Sequence, residues 1–118
     1  MKTKKEINEY KNKYQREYRK KNPKYRNYQK IYLQKYFLKK LYNLELDEYN
    51  EILTQQLSGC SICNKPMQEI GQYLCVDHNH NTGKVRSLLC KSCNLIIGNS
   101  NENPEILRRA ADYLENFL

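Results

Sequence analysis

The sequence predicts a mainly helical α+β protein, with a basic helical arm over residues 1–42 and a strand–strand–helix body over 43–118 that ends in a further helix. Three observations carry that prediction. Aromatic and apolar residues recur every three or four positions through the arm. Two C-x-x-C pairs, Cys60/Cys63 and Cys90/Cys93, bracket the centre of the body with 26 residues between them. Inside that interval an apolar run, a polar turn with Gly83 and a second apolar run read as two short strands. With 118 residues, 39% hydrophobic composition and a mean hydropathy of −0.97, the chain can bury only a small core. A body of that size needs a metal or a partner to hold it.

The arm divides into two helices. Ile7, Tyr10, Tyr14 and Tyr18 fall on one face of the first. Asn22-Pro23 interrupts the pattern: Pro23 suits the first turn of a second helix and Asn22 is expected to cap it. Tyr25, Tyr28, Tyr32 and Tyr36 continue at helical spacing, and Ile31, Leu33, Phe37, Leu38, Leu41 and Tyr42 make the end of this helix an expected core face. A third, short helix follows, with Asp47 as its cap and Tyr49, Ile52, Leu53 and Leu57 as its apolar face, ended by Ser58-Gly59. Cys93-Asn94-Leu95-Ile96-Ile97 opens another helix after the second strand, and Asn103-Pro104-Glu105 opens the last.

Charge separates the two parts. Residues 1–42 hold 15 Lys+Arg against 3 acids, while residues 43–118 hold 6 against 10. An arm at net +12 makes an anionic polymer, nucleic acid above all, the expected partner, because each cation at a phosphate releases a counterion. Arg16, Arg19 and Lys20 are candidate phosphate contacts. The Tyr10/Tyr14/Tyr18 stripe has two readings: phenols along a nucleic-acid backbone, or the contact face of a partner helix, including a second copy of the chain. The near absence of Leu favours the first. No apolar run approaches the roughly 20 residues of a membrane span, and no secretory leader is visible, so a cytoplasmic protein is expected.

The two C-x-x-C pairs are expected to form a structural zinc site, since each turn aims two thiolates at one point and two turns complete a tetrahedron. Disulfides are the alternative, disfavoured without an export signal. Cys75, the fifth cysteine, lies in the apolar run Tyr73-Leu74-Cys75-Val76 and reads as a small buried hydrophobe. Asp77 and His78 end the first strand, and His78 and His80 are the only histidines in the chain. A carboxylate, an imidazole and an amide on the following helix suffice for one Mg²⁺ and one general base. The alternatives are histidines that merely hydrogen-bond the turn, or one that replaces a cysteine on zinc.

The stretch from Cys60 through Val76-Asp77-His78-Asn79-His80-Asn81-Thr82-Gly83-Lys84-Val85-Arg86-Ser87-Leu88-Leu89 to Cys90, Cys93 and Asn94 closely resembles the phage recombination endonuclease VII family. The resemblance implies the ββα-metal, or His-Me finger (HNH-type), fold and a DNA endonuclease of a bacterial or phage-infected cell. It implies zinc on Cys60, Cys63, Cys90 and Cys93, and Mg²⁺ or Mn²⁺ on Asp77 and Asn94. It also implies His78 as general base and an auxiliary role for His80. Lys84 and Arg86 are candidate DNA contacts beside it. Ser87 stands where many members have Gly, and Ile97 stands where some carry an acid near the metal. The implied reaction is one-metal phosphodiester hydrolysis leaving 5′-phosphate and 3′-hydroxyl. A non-catalytic zinc module that binds nucleic acid is the alternative. Junction resolution, nicking, homing and restriction are not separated by these residues, and neither is a homodimer from a monomer.

Overall fold

A computed structural model describes all 118 residues and divides them into two compact units, Met1–Leu46 and Asp47–Leu118. No helix in it is long and apolar enough to cross a membrane. The first unit is built from α1 (Lys4–Lys21) and α2 (Pro23–Tyr42). α1 begins at a capping box: the Thr3 hydroxyl accepts from the Glu6 N–H at 3.3 Å, and the Glu6 carboxylate accepts from the Thr3 N–H at 2.6 Å. Arg19, Lys20 and Lys21 occupy its last turn, where the helix dipole favours cations. No residue of α1 is buried.

Pro23 opens α2 as expected, but Asn22 does not cap it. Its amide instead donates to the Tyr18 carbonyl at 2.8 Å and closes α1. The Tyr18 and Tyr25 rings meet edge-on across the break, 5.1 Å apart. The expected core face at the end of α2 is a correction: only Leu38 is buried and Tyr42 is half-buried, while Ile31, Leu33, Phe37 and Leu41 are all exposed. Helical spacing creates an apolar stripe, but burial needs a partner surface, which spacing alone does not supply. α2 stops at Asn43, whose left-handed φ of 51° lets its N–H reach the carbonyls of Leu38 and Lys39.

The second unit contains α3 (Leu46–Gln55), a single turn α4 (Met67–Ile70), strands β1 (Cys75–His78) and β2 (Val85–Leu89), α5 (Lys91–Asn99) and α6 (Pro104–Glu115). Asp47 lies inside the first turn of α3 rather than at its cap, still at the end that favours an acid. Tyr49 is buried and its hydroxyl donates to the Leu74 carbonyl at 2.8 Å, tying α3 to the entry of β1. Leu57 does not extend the apolar face of α3. It falls past the helix end at φ 53°, beside Ser58 at φ 58°, and is 88% exposed.

The sheet is one antiparallel pair, β1 against β2. Leu88 and Leu89 of β2 are buried with Leu74 and Val76, and α5 packs on both strands. Full burial of each leucine stabilises by about 1.5–3 kcal/mol. The outer edge of β2 is covered by Gln56, whose side chain accepts from the Leu88 N–H and donates to the Leu88 carbonyl, both at 2.8 Å. α6 is capped by Asn103, whose side chain accepts from the N–H groups of Glu105 and Ile106, with Pro104 in its first turn. It leaves Ile106, Tyr113 and Leu114 exposed.

Candidate functional site

The four cysteines of the two C-x-x-C pairs converge, with all their sulfurs within 4.8 Å of one another. Cys60 and Cys63 sit on a tight knuckle, in which the Cys60 N–H donates to the Lys65 carbonyl and the Asn64 N–H donates to the Cys60 carbonyl. Gly59 leads into it because a Cβ there would lie 3.0 Å from the Asn64 carbonyl oxygen. Cys90 caps α5, its sulfur accepting from the Cys93 N–H at 3.4 Å. The Cys63 and Cys90 sulfurs are 3.8 Å apart. A tetrahedron with Zn–S bonds near 2.3 Å has an edge of about 3.8 Å. All five cysteines are free thiols.

The protonation of the cluster points the same way. Burial works to raise the Cys60 thiol, but the N–H groups of Cys90, Cys63 and Ile62 and the Cys63 thiol outweigh it and bring Cys60 down to about 6. Cys93 is pushed up to about 12, first by burial and then by hydrogen bonds with the sulfurs of Cys90, Cys60 and Cys63. Four crowded sulfurs cannot all ionise alone, and a divalent soft-ligand cation removes the conflict. The donor set therefore fits zinc.

Asp77 lies on β1, is buried, and pairs in register with Ser87 of β2, whereas His78 pairs with Val85. Arg86 is thus the extra residue of a β-bulge. A bulge places two residues opposite one and re-aims a side chain. Here it brings the Arg86 guanidinium onto Asp77: Nε donates to Oδ2 at 2.7 Å and Nη2 donates to Oδ1 at 2.8 Å. The other edge of the same fork meets Glu102, from the turn between α5 and α6, with Nη1 to Oε2 at 3.3 Å and Nη2 to Oε1 at 3.1 Å. Hydrogen bonds donated to Asp77, then to Glu102, hold the Arg86 guanidinium above its ordinary range.

The polar turn between the strands is organised by Asn79. Its side-chain oxygen accepts from the N–H groups of Asn81 and Thr82, at 2.8 and 3.0 Å, and its backbone N–H donates to the Lys84 carbonyl. Gly83 completes the turn at φ 73°, which a side chain would strain. The turn stacks the His78 and His80 rings, with centroids 4.8 Å apart and planes within 6°. His80 Nε2 lies 3.3 Å from Glu102 Oε1. His78 is half-buried and His80 exposed.

Asn94 is half-buried in the first turn of α5, the helix that packs on β1 and β2. Lys84 is exposed on the turn. In the other unit, Tyr10, Tyr14 and Tyr18 are 63, 59 and 42% exposed, with the Tyr14 and Tyr18 rings stacked at 6.4 Å. Arg16, Arg19 and Lys20 are exposed beside them. The sequence reading missed Glu102 and the carboxylate partners of Arg86. No signal in the chain announces them, because the contacts span 9 and 16 residues and depend on a bulge.

The profile of the recombination endonuclease VII family matches residues 35–116, from the last turns of α2 to the end of α6. The chain belongs to the recombination endonuclease VII family. That match contains the four cysteines, both strands, Asp77, His78, His80, Asn94 and Glu102, and leaves most of the basic arm outside it. The Gene 59 protein of Mycobacterium phage D29 is 42% identical over 74 residues, which cover 62% of this chain and 44% of that protein. The Gene 59 protein of Mycobacterium phage L5 is 40% identical over 76 residues, covering 64% and 46%. The chain spans a little under half the length of these curated relatives. No solved structure matches it.

Proposed function

We propose that this chain is a metal-dependent DNA endonuclease of the His-Me finger (HNH) type, with structural zinc on Cys60, Cys63, Cys90 and Cys93. The observation that carries the reading is membership of the recombination endonuclease VII family over a segment that includes an Asp-His pair at the end of β1. His78 takes a proton from the attacking water, and its stacking on His80 restricts the plane of the ring that does so. Asp77 and Asn94 hold a divalent cation. Each Asp77 oxygen spends one acceptor site on Arg86 and keeps another, and carboxylate and amide oxygens are the hard donors that Mg²⁺ and Mn²⁺ take. When bound, the cation supplies Lewis-acid stabilisation of the phosphate charge. Lys84 and the arm residues Arg16, Arg19, Lys20, Tyr10, Tyr14 and Tyr18 bind the DNA backbone.

One observation favours the second reading, a zinc module that binds nucleic acid without cutting it: both oxygens of Asp77 are engaged by Arg86. Cleavage of supercoiled plasmid and of four-way-junction DNA in Mg²⁺ separates the two. The zinc-loaded protein is expected to cut, and His78→Ala to lose cutting by a factor of roughly 10²–10⁴ while keeping its DNA affinity. A wild-type chain that binds DNA but leaves both substrates intact decides for the second reading. Junction against plasmid preference then assigns the substrate geometry.

A further inference from the structure

We propose that Glu102 is a positioning residue of the Asp77–His78 site, holding the Arg86 fork against Asp77 while keeping the cluster net anionic for a divalent cation. This inference rests on the nuclease reading above. Arg86 has five N–H donors in one plane, and this geometry uses both edges of the fork, one on each carboxylate. With Asp77 alone, the guanidinium would cancel the one charge of the site. With Glu102 added, two carboxylates share one guanidinium, and one negative charge remains to attract a cation. The same Glu102 carboxylate reaches His80, on which His78 stacks, so one side chain touches both halves of the site.

The chain goes to some length to put Glu102 there. Asn101 and Glu102 lie at φ 52° and 55°, a left-handed pair that L residues avoid. The pair is held by the end of α5: the Ile97 carbonyl accepts from the Glu102 N–H at 3.0 Å and from the Ser100 hydroxyl at 2.8 Å, and the Gly98 carbonyl accepts from the Asn101 N–H at 3.0 Å. Folding alone does not account for the result. The His80–Glu102 contact, with side chains 71 and 32% exposed, adds little stability by itself. The left-handed turn aims Glu102 at the Arg86 fork, and the fork in turn reaches the buried Asp77.

The test uses the zinc-loaded full chain, Glu102→Gln, which keeps the shape and removes the charge, and Glu102→Asp, which keeps the charge. Mn²⁺ binding without DNA is followed by calorimetry, the Arg86 Nε–H by NMR, and plasmid nicking against Mn²⁺ concentration. Glu102→Gln is expected to keep its zinc and its unfolding midpoint and to lose the hydrogen-bonded Arg86 Nε–H signal. Its half-saturating Mn²⁺ should rise roughly 10–100-fold, the usual effect of removing an outer-shell partner. Glu102→Asp should recover part of that loss, and nicking by Glu102→Gln should return as Mn²⁺ saturates. Wild-type Mn²⁺ affinity in Glu102→Gln overturns the proposal, as does a loss of stability as large as the loss of binding. A wild-type chain that binds Mn²⁺ but cuts nothing overturns the nuclease reading, and the Mn²⁺ comparison still decides the role of Glu102. A wild-type chain that binds no Mn²⁺ overturns both.

Discussion

Tyr49 packs its ring into the second unit and spends its hydroxyl on the Leu74 carbonyl. Burial, then the neighbouring Cys75 thiol, pushes its phenol up to about 12, against an ordinary value of 10.0. The neutral phenol is therefore the folded form. The unfolded chain ionises first, so the stability Tyr49 contributes is complete below about pH 10 and is lost as pH rises toward 12. Alkaline unfolding followed by circular dichroism should show that loss. Tyr49→Phe should cost about 1 kcal/mol at neutral pH, through an unpaired Leu74 carbonyl, and should flatten the alkaline limb. An unchanged alkaline limb in Tyr49→Phe would assign the loss to another group. At the same scale, Arg86 gains its role from the bulge: Asp77 opposes Ser87, and the inserted residue carries the guanidinium to the carboxylate.

The four-cysteine cluster, the proposed zinc site, joins elements that have little else to hold them. The Cys60/Cys63 knuckle precedes α4, Cys90 and Cys93 open α5, and the two pairs meet beside the buried ends of β1 and β2. A two-stranded sheet is marginal in water by itself. The thiolates form a site only in the folded chain, so metal binding is coupled to folding free energy. Chelation of zinc, or Cys93→Ser, is expected to melt residues 60–98 cooperatively and to leave the helical circular-dichroism signal of α1 and α2 largely in place. Amide exchange resolves the two regions. Full protection of β1 and β2 without metal would show that the leucine core suffices.

Over the whole molecule, the charge is divided between the basic arm and the rest of the chain, and so is the expected labour. Residues 1–42 hold net +12 and the remainder net −4, so on the nuclease reading the arm is expected to supply the long-range attraction to DNA. If the arm neutralises about five phosphates, log K should fall against log salt with a slope of about −4 to −5. Replacing Arg16, Arg19 and Lys20 by Gln removes three exposed cations from α1. The slope should shrink by up to about 3, with kcat on saturating DNA retained. Fluorescence anisotropy over a salt series measures the slope. An unchanged slope would move the DNA contact elsewhere.

Most of the local structure was legible in the sequence because it obeys local rules. Helical spacing located α1, α2, α3 and α6, Pro23 marked the start of α2 and Asn103-Pro104 that of α6, and Gly83 marked the hairpin turn. The paired C-x-x-C spacing announced four converging sulfurs, since each turn constrains two of them before any tertiary contact forms. Burial was less legible. The same apolar spacing is exposed at the end of α2 and buried around Tyr49, because a stripe records what a helix offers and not whether a surface meets it. Least legible was the network around Asp77. Arg86 reads from the chain as a solvated cation or a phosphate contact, and nothing in the chain singles out Glu102. Only the tertiary structure decided that they meet, because a one-residue bulge sets the face of Arg86 and a left-handed turn 16 residues later sets the reach of Glu102. Neither geometry is a preference of its own residues; each is imposed by the hydrogen bonds and packing around it.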